Sequence, residues 1–163
     1  MAVEIRCSAA TLSTWSGDAL VVGLFSGEAG ASSRQALAAR FGEAVLERLE
    51  QRRFKGKPGE SLSIDRIGEA PSLLVVIGLG APGDFGQEQL RSAAAAGTKA
   101  AAASGCPSVA LALPVDGLEP ASAASALAEA VRLSLYADQR FKSETEPGQI
   151  PSQVDCWACP KPP

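Results

Sequence analysis

A chain of 163 residues, 46% of them hydrophobic, is long enough to bury one core and too short to promise two. Its 15 basic against 18 acidic side chains leave a net charge of −3, which excludes a dedicated nucleic-acid surface, since that needs an excess of Lys and Arg. No apolar run approaches the roughly 18 residues of a membrane span, and the N-terminus has neither the basic nor the apolar region of a signal peptide, so no membrane partner and a cytoplasmic chain are expected.

Residues 3–7 alternate apolar and polar, as a strand with one solvated face does. A turn at Trp15-Ser-Gly-Asp18 precedes a nearly continuous apolar strand over 19–25. Ser32, with Gln35 three residues on, predicts a capping box opening a helix to about 51, in which Leu37, Phe41, Val45 and Leu49 recur every four residues and Gly42 weakens or bends the run. A turn over 54–61 leads into an alternating strand over 62–67. Residues 72–79 form an unbroken apolar strand, the pattern of a central position covered on both faces.

A helix over about 87–104 places Leu90, Ala94, Gly97 and Ala101 on one face, and residues 108–113 make the next buried strand. Pro120 sits in the first turn of a last helix to about 137, with Ala124, Leu127, Ala128, Val131 and Leu135 on its apolar stripe. The alternation of strand and helix predicts one three-layer α/β domain over 1–142, with a mixed, mostly parallel sheet and helices on both faces. Residues 143–163, with Pro147, Pro151, Pro160, Pro162 and Pro163 among polar residues, read as a linker or disordered tail.

Candidate sites are few. The chain has no histidine, so a Ser-His-Asp or Cys-His site cannot exist within it, and the commonest metal ligand is missing. Gly78-Leu-Gly80-Ala-Pro-Gly83 spells GxGxxG after a strand and before a helix, the setting in which a pyrophosphate meets a helix N-terminus. Pro82 removes one N–H from such a cradle, Asp84 adds a negative charge, and Asp116 comes too late to be the ribose-binding acid, so an ordinary strand-to-helix turn is the favoured reading.

Cys156-Trp-Ala-Cys159 is a CxxC without the helix N-terminus that would stabilise a thiolate. A zinc site would need Cys7 and Cys106 as well, both in or beside buried strands, so the pair is read as incidental. Lys55 and Lys57 read as solvated loop residues, Trp15 as an edge-of-core aromatic, and Glu43, Glu47 and Glu50 with Arg48, Arg52 and Arg53 as a solvent-facing helix surface. None of these is assigned as a catalytic, cofactor-binding or metal-binding residue.

Five segments in order carry a resemblance: Trp15-Ser-Gly-Asp-Ala-Leu-Val-Val-Gly-Leu-Phe25, Phe54-Lys-Gly-Lys-Pro-Gly-Glu-Ser61, Val76-Ile-Gly-Leu-Gly80, Arg91 with its alanine-rich helix, and Ala130-Val-Arg-Leu-Ser-Leu-Tyr-Ala-Asp-Gln-Arg-Phe-Lys-Ser-Glu144. Together they resemble the N-terminal domain of the leucyl (cytosol) aminopeptidase family, most of all its cyanobacterial and plant branch, over about residues 3–144. The resemblance implies a macro-domain-like fold followed, in the family, by a catalytic domain. That domain holds two divalent metals, manganese or zinc, whose bound water attacks the N-terminal peptide bond. It also implies hexameric assembly.

The Asn-Thr-Asp-Ala-Glu-Gly-Arg segment and the lysine- and aspartate-bearing metal segments of that catalytic domain are not in this sequence, so no catalytic or metal residue carries over and the chain itself needs no cofactor. A truncated product, a shifted reading frame or an isolated domain would each account for this. The expectation is a non-catalytic domain, inert alone, whose partner is an aminopeptidase catalytic domain and its oligomer. Two alternatives remain open. One is a free-standing macro-like module for a nucleotide derivative, held at the C-terminal ends of the strands in the turns after Phe25, Leu79 and Leu113, with a deep pocket bordered by the 78–83 turn. The other is a thiol-redox protein using Cys156 and Cys159.

Overall fold

The computed structural model describes residues 3–7, 15–115, 117–141 and 151–156, without the side chains of residue 7 and of 136–141. Asp116, Cys159, Pro147, Pro160, Pro162 and Pro163 lie outside the described residues. The elements run β1 (Glu4–Cys7), β2 (Ala19–Phe25), α1 (Ala31–Phe41), α2 (Glu43–Gln51), β3 (Ser61–Asp65), β4 (Leu73–Gly80), α3 (Gln87–Ala103), β5 (Ser108–Ala112), α4 (Pro120–Phe141) and β6 (Gln153–Cys156), with short 3-10 turns at Gly27–Gly30 and Pro82–Asp84.

Among the described residues the strands form a six-stranded sheet in the order β1-β6-β5-β2-β4-β3. Every neighbouring pair is parallel except β3 and β4. This is the expected mixed, mostly parallel sheet, and helices cover both of its faces. Val21, Val75, Ile77, Val109 and Leu111 pack on one face beneath α3 and α4. Leu20, Val22, Leu24, Leu74 and Val76 pack on the other against Leu37 of α1 and Val45 and Leu49 of α2. Because alternate residues point to opposite faces, burial on both faces requires apolar residues at every position, and β2 and β4 supply them. β4 is buried along its whole length. It stands one strand in from the edge, with the half-exposed β3 outside it.

Three expectations are corrected. The helix expected over 32–51 is two helices, because Gly42 adopts φ 91° and ψ 166°, which ends one and caps the next. The Ser32–Gln35 capping box is absent: helical turns already begin at Gly27, so Ser32 lies inside the helix and no side chain caps α1. In α4 the buried stripe is rotated from the expected one, so that Ala123, Ala126 and Ala130 join Leu127, Val131 and Leu135 in the core while Ala124 and Ala128 are half-buried.

The largest correction falls in the supposed tail. Gln153–Cys156 is a strand inserted between β1 and β5, pairing Val154 with Ile5 on one side and with Val109 on the other. Val154 and Cys156 face the α3/α4 core, while Asp155 points to the opposite face. A four-residue strand with a polar alternate face carries little local signal. Its stability comes from pairing with chain about 150 residues away, which no local window can see.

Candidate functional site

Two stretches that stood out in the sequence, Trp15–Asp18 and the start of the GxGxxG run, prove to be joints of the fold. Trp15 is buried and packs with Leu20 and Val22. Its indole Nε1 donates to Asp155 Oδ2 at 3.2 Å. Asp155 is itself 5% exposed. It also accepts from Arg6 Nε at 3.3 Å and from Gln153 Nε2 at 3.1 Å. A buried carboxylate requires such partners to offset its lost hydration. Asp18, at the other end of the same motif, accepts from the Ser108 hydroxyl at 2.7 Å, while its own N–H donates to Ser108 Oγ at 3.0 Å. The Asp18 carbonyl accepts from Leu73 N at 3.0 Å. Trp15 and Asp18 thus tie the starts of β2, β4 and β5 to β6.

The first two GxGxxG glycines are committed as well. Gly78 and Gly80 lie inside β4, before the turn. The 54–60 loop crosses over them: Gly78 N donates to Glu60 O at 2.8 Å and Gly80 N to Gly56 O at 2.7 Å. An added Cβ at Gly78 would run into the Lys57 carbonyl oxygen, and one at Gly80, where φ is +76°, would lie 2.7 Å from the Pro58 ring. The 54–60 loop thus packs directly on Gly78 and Gly80 and takes up their N–H groups. Glu60 secures the loop by accepting from Lys57 N at 2.9 Å and Lys55 N at 3.2 Å, with both lysine side chains exposed. Glu43, Glu47, Glu50, Arg48, Arg52 and Arg53 are exposed as well.

Cys156 is buried at the end of β6, opposite Cys7 in the parallel register. Burial, with the neighbouring Asp155 charge, pushes its thiol up to about 12. Cys106, buried ahead of β5, is raised in the same direction by burial and by the Asp18 and Asp65 charges. A redox thiol needs the opposite shift. Iodoacetamide at pH 8 should therefore label Cys156 at least about 100-fold more slowly in the folded chain than in urea, as read by peptide mass spectrometry. Because the unfolded thiol ionises from about pH 8.5 and the folded one does not, stability present below that pH is lost as pH rises towards 12. Each pH unit in that window removes up to about 1.4 kcal/mol through this one group. Urea midpoints across pH 8–10 should fall more steeply for the native chain than for Cys156→Ala.

Among the described residues no group of three or more Cys, Asp or Glu stands close enough to hold a metal ion. The best-placed carboxylates, Asp155 and Asp18, are engaged with Arg6, Trp15 and Ser108.

Several clefts of a few hundred Å³ open on the described residues, and one of them lies at the strand ends. It has a volume of about 380 Å³ and lies at the C-terminal ends of β2 and β5 beside α1. Val22, Leu24 and Ala112 form its apolar floor, Ser33 and Leu37 line the α1 wall, and Pro114 and Val115 lie at the rim. It borders the turns after Phe25 and Leu113, two of the three strand ends named from the sequence, and does not reach the 78–83 turn.

The fold is shared with macrodomains. The macrodomain of Thermus aquaticus DarG superposes with a TM-score of 0.63 at 14% identity, over 96% of this chain and 99% of that one. A mutant of tomato leucine aminopeptidase gives a higher TM-score of 0.80 at 25% identity, with 99% of this chain matching 34% of that one. Residues 21–145 match the N-terminal domain of the cytosol aminopeptidase family, and the chain belongs to that family. Similar sequences include the probable cytosol aminopeptidases of Prochlorococcus marinus MIT 9313, 41% identical over 159 residues, and of Synechococcus sp. CC9605, 46% identical over 154. These alignments take in 97% and 94% of this chain but only 32% and 31% of the relatives, so the chain spans about a third of their length.

Proposed function

We propose that this chain serves as a non-catalytic docking and assembly domain for an aminopeptidase catalytic domain and is inert by itself. The observation that carries this reading is the extent of the likeness: nearly the whole chain aligns with about a third of each relative. The joints described above give the same picture from inside. Among the described residues, Trp15, Asp18 and Asp155 are occupied in holding strands together.

The catalytic domain would supply both divalent ions, manganese or zinc, and the hydrolytic chemistry, in a hexamer and in the cytoplasm. The alternative of a nucleotide-derivative module gains little from the 78–83 turn, whose first two glycines are packed under the 54–60 loop.

The reading is tested by mixing the purified chain with the remaining two thirds of the Synechococcus sp. CC9605 relative, expressed separately, and measuring mass in solution. A stable complex at micromolar concentration is expected, as for an interface of at least about 1,200 Å². Two species that never co-elute at about 10 μM would contradict the docking role.

A further inference from the structure

β3 is the outermost strand on its side of the sheet, and its outer backbone edge has no strand partner among the described residues. The register with β4 fixes which groups that edge presents. Gly78 N donates to Glu60 O and Arg66 N to Ser72 O, so Leu62 and Ile64, at the alternate positions between, also turn their N–H and C=O groups towards β4. Those of Ser61, Ser63 and Asp65 point outwards, and all three residues are exposed. Open edges are usually blunted by proline, lysine or a bulge. β3 reads Ser-Leu-Ser-Ile-Asp and keeps an unbroken register with β4, so it carries none of these. Ile67, just beyond it, is 99% exposed.

A groove of about 330 Å³ follows the same edge, between α2 and β3. Phe41, Val45 and Ile64 give it apolar walls, and Glu47, Arg48 and Arg66 set both signs of charge around them. Leu62 and Ile64 turn their side chains to this face and are half-buried against the α1/α2 core.

The edge is complementary to itself. In an antiparallel pair of β3 strands with Ser63 opposite Ser63, Ser61 meets Asp65 and Leu62 meets Ile64. All of Ser61–Asp65 is then paired, and the outward groups of Ser61, Ser63 and Asp65 bond one another. Leu62 and Ile64 form the close, non-hydrogen-bonded pairs across the joint, on the groove face. Just outside the strand Glu60 comes opposite Arg66, so opposite charges face each other at both ends. Asp65 opposes a serine, whereas a pair centred on Asp65 would set that charge against its own image. Such a joint is two-fold symmetric and closes as a dimer. We propose that β3 is a docking edge for a second copy of this chain, joined strand to strand so that two sheets become one. This goes beyond docking on a catalytic domain and does not rest on it.

Sedimentation equilibrium of the full chain should show a dimer with a Kd at or below about 200 μM, the weak range expected of a small interface. Ser63→Pro removes an outward N–H and leaves the β4 ladder intact, so it should keep the far-UV spectrum and weaken the dimer at least about tenfold. Hydrogen exchange needs no variant. In the native chain the amides of Ser61, Ser63 and Asp65 should slow at least about threefold between about 20 μM and about 1 mM, while the exposed Gly117 amide, beyond β5, does not change. A monomer at about 1 mM, a dimer undiminished in folded Ser63→Pro, or a dimer that leaves the three amides unchanged would each overturn the proposal. So would protection of these amides only on mixing with the remaining two thirds of the CC9605 relative, which would give the edge to the catalytic domain. Because the dimer is read on the chain alone, failure of the complex with a catalytic domain leaves it standing.

Discussion

Gly78→Val is expected to lower the unfolding free energy by at least about 3 kcal/mol, while Gly83→Ala leaves it within about 0.5 kcal/mol. The two glycines belong to one GxGxxG motif, and only one has a structural reason to be glycine. A Cβ at Gly78 collides with the Lys57 carbonyl, a backbone atom held in place because Gly78 N bonds Glu60 O and Gly80 N bonds Gly56 O. Nothing lies within 4 Å of a Cβ at Gly83. A flexible side chain could yield; a backbone pinned by two hydrogen bonds cannot without breaking them. For a domain of this size the difference corresponds to a melting temperature lower by roughly 6–12 °C. Equal tolerance at both positions, measured by thermal melts, would mean that the 54–60 loop does not pack on β4.

The second large effect is at Trp15. Trp15→Ala should cost about 3–5 kcal/mol, the usual range for emptying a buried aromatic site. Its lost indole N–H also takes one partner from the buried Asp155 carboxylate. Trp15→Phe keeps most of the volume and removes the donor, so it separates packing from hydrogen bonding. Paired with Asp155→Ala in a double-mutant cycle by urea denaturation, it should show a coupling of at least about 1 kcal/mol. Additivity within about 0.3 kcal/mol would mean that the indole and the carboxylate stabilise the fold independently. This contact joins residues 140 positions apart. It gives the Trp-x-Gly-Asp segment a role in closing the sheet around β6.

The legibility of this chain followed how local each signal was. β2 and β4 could be read because burial on both faces writes a continuous apolar run, whereas Gly42 was read as a bend where the helix in fact breaks. β6 could not be read. Gln153 and Asp155 occupy its polar alternate face, Pro151 precedes it, and its partners lie at residues 4–7 and 108–111. The GxGxxG spelling was visible, but the loop filling its space comes from 20 residues earlier and leaves no trace in the spacing. The turns after Phe25 and Leu113 were named from the sequence, but the cleft between them and its walls were not. Val22, Leu24 and Leu37 look like any core residues, and only the diverging loops after β2 and β5 leave a gap above them.

The separation of this domain from catalysis is tested most directly by leucine-p-nitroanilide hydrolysis with added manganese, by the purified chain at a known mass in solution. The account predicts no turnover above the buffer blank from a folded species. Metal-dependent turnover that survives repurification and scales with chain concentration would contradict it, because it would place a working metal site among residues assigned here to holding the sheet together.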